Sequence, residues 1–125
     1  MKNIAKIAAA LVGLFSLAMG LLAWVDPVKV GEIVGLVGPS ELGQHTLRGD
    51  LGAVFLASAL GCGLALFRGK IIGLKLPIII YGLVLIGRLI SLVLTGNGVG
   101  VMQPILIEVV LIGLSVFAYK TLKNS

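Results

Sequence analysis

The chain has 125 residues, of which 58% are apolar and 12% charged, and its mean hydropathy is +1.16. Soluble domains lie near about 45–50% apolar and about 25% charged, so this balance argues against a soluble enzyme, a disordered chain and a nucleic-acid binder. The formal charge is +5, but the basic residues punctuate apolar runs instead of forming a patch, which suits anchoring beside lipid headgroups.

A hydrocarbon core of about 30 Å needs about 20 apolar residues of helix at about 1.5 Å each. Four runs approach that length. The first, 7–25, carries no charge and ends at Asp26-Pro27; Lys2 and Lys6 precede it as in a signal peptide, but its apolar stretch exceeds the usual 7 to 15 or so residues, so it is read as an uncleaved span. Trp24 at its end suits an interfacial aromatic position. The loop 26–49 has its own pattern. Asp26 can cap a short interfacial helix with Pro27 at its first position, and Val30, Ile33, Val34 and Val37 recur opposite Lys29 and Glu32. Gly31, Gly35 and Gly38 weaken that helix, so an irregular lid is the alternative. Ser40 before Glu41 offers another cap, which would start the second helix ahead of its apolar run and put His45 and Arg48 on one face.

The second span, 51–67, is stopped by Arg68, Gly69 and Lys70. Gly49, Ala53, Ala57, Gly61 and Ala65 fall at four-residue intervals on its helix, a ridge that another helix can approach closely. Ala9, Gly13, Ser16 and Gly20 form a comparable ridge on the first span, and the two are expected to meet inside one subunit or, alternatively, to form a subunit interface. The third span, 76–94, is interrupted only by Arg88, and Thr95, Gly96, Asn97 and Gly98 read as the turn after it. The fourth, 104–118, is interrupted only by Glu108, with Tyr119 at its end. The expected fold is therefore an all-α, integral membrane four-helix bundle in a single transmembrane domain. Seven Lys and Arg residues lie at the chain ends and in the 68–75 loop, against Lys29 and Arg48 in the 26–49 loop. By the positive-inside rule both termini are expected to be cytoplasmic, in a bacterial inner membrane.

A charge within a span costs about 2.5–3.5 kcal/mol at the helix centre, so Arg88 and Glu108 require partners or water. Arg88 lies about 9 Å and Glu108 about 6 Å below the outer surface by helical rise, and Arg48 and Asp50 flank the outer start of the second span. Two arginines and two carboxylates are thus expected at one level, with Tyr81, Ser91 and Thr95 sharing a face with Arg88. Two uses fit this cluster. It can be a clamp between the third and fourth helices, or a pocket near the outer leaflet in which arginine forks hold an anionic or carbonyl-bearing amphiphile. An enzyme acting on a lipid-soluble substrate, with Glu108 as the catalytic candidate, is a further alternative, as is a small transporter or channel. Support of a partner membrane protein and homo-oligomerisation also remain open.

Other signals are weak. Glu41 and His45 are too few for a metal site; Cys62 reads as a packing residue; Ser16, Ser58 and Ser115 are expected to bond back to their own helices. No metal motif, phosphate-binding loop or cofactor motif is present in the sequence.

Arg48-Gly49 with Gly52, Gly87-Arg88-Leu89, Gly96 after a span and Glu108 in the last helix together carry a family likeness. Over residues 40–118 the chain resembles small bacterial membrane proteins grouped as domain of unknown function 4345, similar in layout to the DoxX-like four-span proteins. The resemblance implies a four-helix bundle with polar positions at Arg48, Arg88 and Glu108, and no established activity. Leu51 and Ala53 depart from the aromatic residue and second glycine expected after the first motif. DoxX-like proteins are linked to quinone-dependent oxidation, but no haem, flavin or thiol-pair site is apparent in this sequence.

Overall fold

The structure, a computed structural model, describes residues 1–36, 38, 40–96 and 102–124. Val37 of the apolar loop pattern, and Asn97 and Gly98 of the expected turn, lie outside the described residues. Every regular element among the described residues is helical: α1 Lys2–Val25, α2 Pro27–Val34, α3 Glu41–Thr46, α4 Gly52–Arg68, α5 Lys75–Thr95 and α6 Met102–Lys123. A π-helical turn, Leu47–Leu51, joins α3 to α4, and a 3₁₀ turn, Ile71–Leu74, leads into α5.

The helix ends follow from local chemistry. The Asp26 N–H donates to the Leu22 carbonyl, closing α1, while the Asp26 carboxylate accepts the Lys29 N–H at 3.2 Å and opens α2 with Pro27 at its first position. Gly35, at φ +90°, turns the chain out of α2, a conformation that a β-carbon would disfavour. Ser40 accepts the Gly43 N–H at 3.1 Å and starts α3. Because the π turn continues the helical path, Glu41–Arg68 runs as one 28-residue membrane-length helix, well longer than its apolar stretch.

Four helices are long and apolar enough to cross a membrane: α1, the α3–α4 unit, α5 with its 3₁₀ turn, and α6. They form a four-helix bundle. Four crossings return the chain to the face it started from, so both termini share one end of the bundle. There Lys75 Nζ and Lys123 Nζ lie 5.7 and 5.5 Å from the centre of the Tyr119 ring, tying the start of α5 to the end of α6.

Small residues occupy the interior and large ones face outward, as packing without a hydrophobic drive requires. Along α1 the buried positions are Ala5, Ala8, Ala9, Val12, Ser16, Gly20 and Ala23, while Ile7, Leu11, Leu14 and Leu21 are exposed to the lipid side. The most extensive contact joins α1 to α4. A β-carbon on Gly13 would come within 3.0 Å of Cys62 Cβ, one on Gly20 within 2.6 Å of Leu56, and one on Gly52 within 2.6 Å of the Trp24 indole nitrogen.

The expected small-residue ridge of the second span is divided between neighbours. Gly61 faces Gly73 in the 3₁₀ turn so closely that a β-carbon on either would overlap the other's carbonyl oxygen. Ala65 is buried, Ala57 half-buried, Ala53 exposed, and Gly49 has open space beside it. The α4 face that meets α1 therefore runs through Gly52, Leu56 and Cys62, one helical step from the ridge itself.

Candidate functional site

Helices α5 and α6 bring Arg88 and Glu108 together at the end of the bundle remote from the termini. Arg88 Nε donates to Glu108 Oε2 at 2.8 Å. The contact is a single bond from the Nε edge of the guanidinium and not the two-bond fork that arginine and carboxylate often adopt. Glu108 has only 10% of its side chain accessible, Arg88 33%. The second carboxylate oxygen, Oε1, is buried and has no hydrogen-bond partner among the described residues. Among those residues the guanidinium is likewise engaged only through Nε, leaving its Nη groups available. A buried polar atom normally finds a partner, and leaving one unmet costs about 1–3 kcal/mol, more for a charged group.

The pair borders a cavity of about 380 Å³. Its polar side is formed by Arg88, Glu108, Gln103 and Glu32, and its apolar side by Phe15, Met19, Phe55, Tyr81, Ile107 and Leu111. Phe15 and Phe55 meet edge to face at 6.2 Å between ring centres, and Phe55 and Tyr81 lie 6.4 Å apart. Toward the termini the space closes: the Tyr81 hydroxyl and Ser16 Oγ are hydrogen-bonded at 2.5 Å, with Ser16 fully buried. Across the opposite side, α2 contributes Glu32, Ile33 and Val34, and Gly35 follows at its end. The chamber is thus walled by α1, α2, α4, α5 and α6, with an ion pair, Gln103 and Glu32 on one side and an apolar, largely aromatic lining on the other.

Other sequence-selected residues fall elsewhere. Arg48, in the π turn, is exposed and donates through Nε to the Trp24 carbonyl at 3.0 Å, which satisfies an end group of α1. Asp50 is exposed, and neither residue forms a hydrogen bond or ion pair with Arg88 or Glu108 among the described residues. His45 and Ser91 are exposed, and Thr95 donates to the Ser91 carbonyl at 2.8 Å. Tyr81, by contrast, lines the cavity with the pair. Ser58 and Ser115 bond to the Val54 and Leu111 carbonyls four residues back, as their positions predict; Ser16 instead meets the Tyr81 hydroxyl, which the long phenol side chain carries across from α5. Cys62 is buried against Gly13. No group of three or more His, Cys, Asp or Glu residues that could hold a metal occurs among the described residues.

Sequence reasoning missed Glu32, Gln103, Phe15 and Phe55. The helical pattern of α2 identifies Glu32 as the polar face of that helix, but not which wall of the bundle the face meets. Phe15 and Phe55 sit in uniformly apolar runs, where periodicity gives no sign of a chamber.

Helices of this length, with small residues inside and one buried ion pair, define a small multi-pass membrane protein. More particularly, the chain belongs to the family described as Domain of unknown function (DUF4345), whose family model matches residues 4–119. That match takes in α2 and nearly all of α1 as well as the later motifs, so every residue lining the cavity lies within the family domain. No curated protein and no solved structure gives a significant match to the chain.

Proposed function

We propose that the protein binds a small amphiphile in the chamber between α2 and the Arg88–Glu108 pair, as a DoxX-like protein of the bacterial inner membrane. The observation that carries this reading is Glu108 Oε1: a carboxylate oxygen buried beside the cavity that has no partner among the described residues, next to an arginine whose Nη donors are unused among them. A pure interhelical clamp is best served by two parallel bonds that use both oxygens. An incomplete pair facing open space instead suits a ligand that completes it.

The lysine and arginine distribution supports cytoplasmic termini, which would open the chamber toward the outer leaflet. Binding is favoured over passage because Val12, Cys62 and Leu74, all fully buried, fill the interior on the termini side of Tyr81. Native mass spectrometry of the gently extracted protein tests the reading. A small molecule retained by the wild type and lost from Glu108→Gln and Arg88→Ala, with the fold intact in at least one of them, is the expected result. An empty wild-type protein whose variants are merely unstable would make the pair a clamp and direct attention to a partner membrane protein.

A further inference from the structure

We infer that the chamber selects a neutral, single-chain amphiphile whose head presents a hydrogen-bond donor and an acceptor side by side, as a primary amide or a hydroxyl group does. The inference rests on the proposed binding role and specifies its ligand class.

Size sets the first limit. An apolar cavity of about 150 Å³ accepts benzene, so by simple scaling the observed cavity suits roughly 15 non-hydrogen atoms. A two-chain phospholipid is several times larger, whereas one medium-length chain along Phe15, Phe55 and Leu111 with a compact head is of the right order.

The head is chosen by the unmet groups. Glu108 Oε1 can only accept, and the Arg88 Nη groups can only donate. A ligand that satisfies both must offer a donor to α6 and an acceptor to α5 from neighbouring atoms. A primary amide does this with its N–H and C=O, and a hydroxyl with its single oxygen. Charge then disfavours an anion, and the need for an acceptor disfavours an ammonium. Arg88 and Glu108 already neutralise each other, and Glu32 on the cavity wall adds a negative charge. An anionic head would gain the arginine but face two carboxylates. An ammonium head could donate to Oε1 but would sit against the guanidinium with nothing to accept from it.

The test holds the tail constant and varies the head. The full chain in phosphatidylcholine nanodiscs is titrated with dodecanamide, dodecanol, dodecanesulfonate and dodecylammonium at neutral pH, following native mass spectra and thermal unfolding. The amide and alcohol are expected to bind about tenfold or more tightly than either ion and to raise the unfolding temperature. Exposed Glu32 supplies an independent check: Glu32→Gln should narrow the gap between sulfonate and amide. Either ion binding as tightly as the amide, or an unchanged gap in Glu32→Gln, overturns the inferred head chemistry and leaves the chamber as a ligand site. A retained native molecule with no binding of the neutral probes overturns the ligand class in the same way. An empty wild-type protein that also ignores all four probes overturns both the class and the binding role.

Discussion

The α1–α4 seam and the α5–α6 seam solve the same problem of holding helices together in lipid by different means. Along the first, glycines let the backbones close: Gly13 against Cys62, Gly20 against Leu56, Gly52 against Trp24. The second uses no such approach: Gly82, Gly87 and Gly113 on its two helices face open space instead of a described neighbour, α5 buries only Pro77 and Tyr81, and the prominent polar link is a single ion pair. The bundle thus concentrates its tightest backbone approaches around α4 and joins α5 to α6 with a polar pair at the end remote from the termini.

The largest effect should come from attacking the tight side. Gly61→Leu puts a branched side chain where the Gly73 backbone already lies, and a carbonyl in a 3₁₀ turn cannot swing away as a side chain can. Overpacking typically costs about 1–3 kcal/mol and more where backbone must move, so loss of most folded protein is expected. Gly82→Leu, the same change facing open space, should leave yield nearly unchanged. Size-exclusion profiles of the two extracted variants check this; similar profiles would remove the contrast between the packed glycines around α4 and the uncovered ones on α5.

Next comes the ion pair. Arg88→Ala leaves the Glu108 carboxylate buried without its counter-charge, and breaking such a pair from one side costs about 3–5 kcal/mol. Removing both partners should cost less than removing Arg88 alone, since no orphaned charge remains. Thermal unfolding of the two single alanine variants and the double variant measures the coupling. If the double variant loses the sum of the singles, the two side chains act independently and the second seam is not held by charge.

Much of this division was legible in the sequence, and the part that was not has a physical reason. Length and hydropathy locate the four crossings because lipid imposes one thickness on all of them. Arg88 and Glu108 stand out because charges in spans are costly, and helical rise alone sets them at matching depth. Rotation about each helix axis is another matter. In runs apolar on every side, small residues mark a face that can be approached without naming the neighbour, so Gly61 was paired in expectation with α1 while Gly73 occupies that side. The π turn adds a local change of phase that shifts α4 relative to α3, and Arg48 is spent on the end of α1 instead of joining Arg88. Glu32 could not be assigned to the chamber because the fold of a short helix over the bundle end depends on contacts that periodicity does not encode.

The contact that links the two seams is weaker. Ser16 on α1 and Tyr81 on α5 share a hydrogen bond beneath the chamber, and Ser16→Ala would remove that partner while leaving Ser58 beside the phenol. A cost of about 0.5–1.5 kcal/mol is expected. Ser115→Ala is the matched comparison, because that serine bonds only to the Leu111 carbonyl of its own turn and its loss should be nearly silent. Equal destabilisation of the two variants would mean that the cross-link between seams carries no more than an ordinary intrahelical bond.

The smallest effect has the opposite sign. Gly82 lies inside α5 at a negative φ with no described atom near its missing β-carbon. Glycine in a helix interior is about 0.8–1.0 kcal/mol less favourable than alanine in water, chiefly through the freedom it retains when unfolded. A helix kept in lipid while its bundle comes apart retains less of that freedom, so Gly82→Ala is expected to raise stability by only a few tenths of a kcal/mol, read as a small increase in unfolding temperature. Gly20→Ala, where a β-carbon would press into Leu56, should lower it instead. Opposite signs from one chemical change would show that glycine is structural on the tight seam and dispensable on the uncovered face of α5. A loss from Gly82→Ala would mean that something covers that face of α5, and a second protein seated there would be the first candidate to seek.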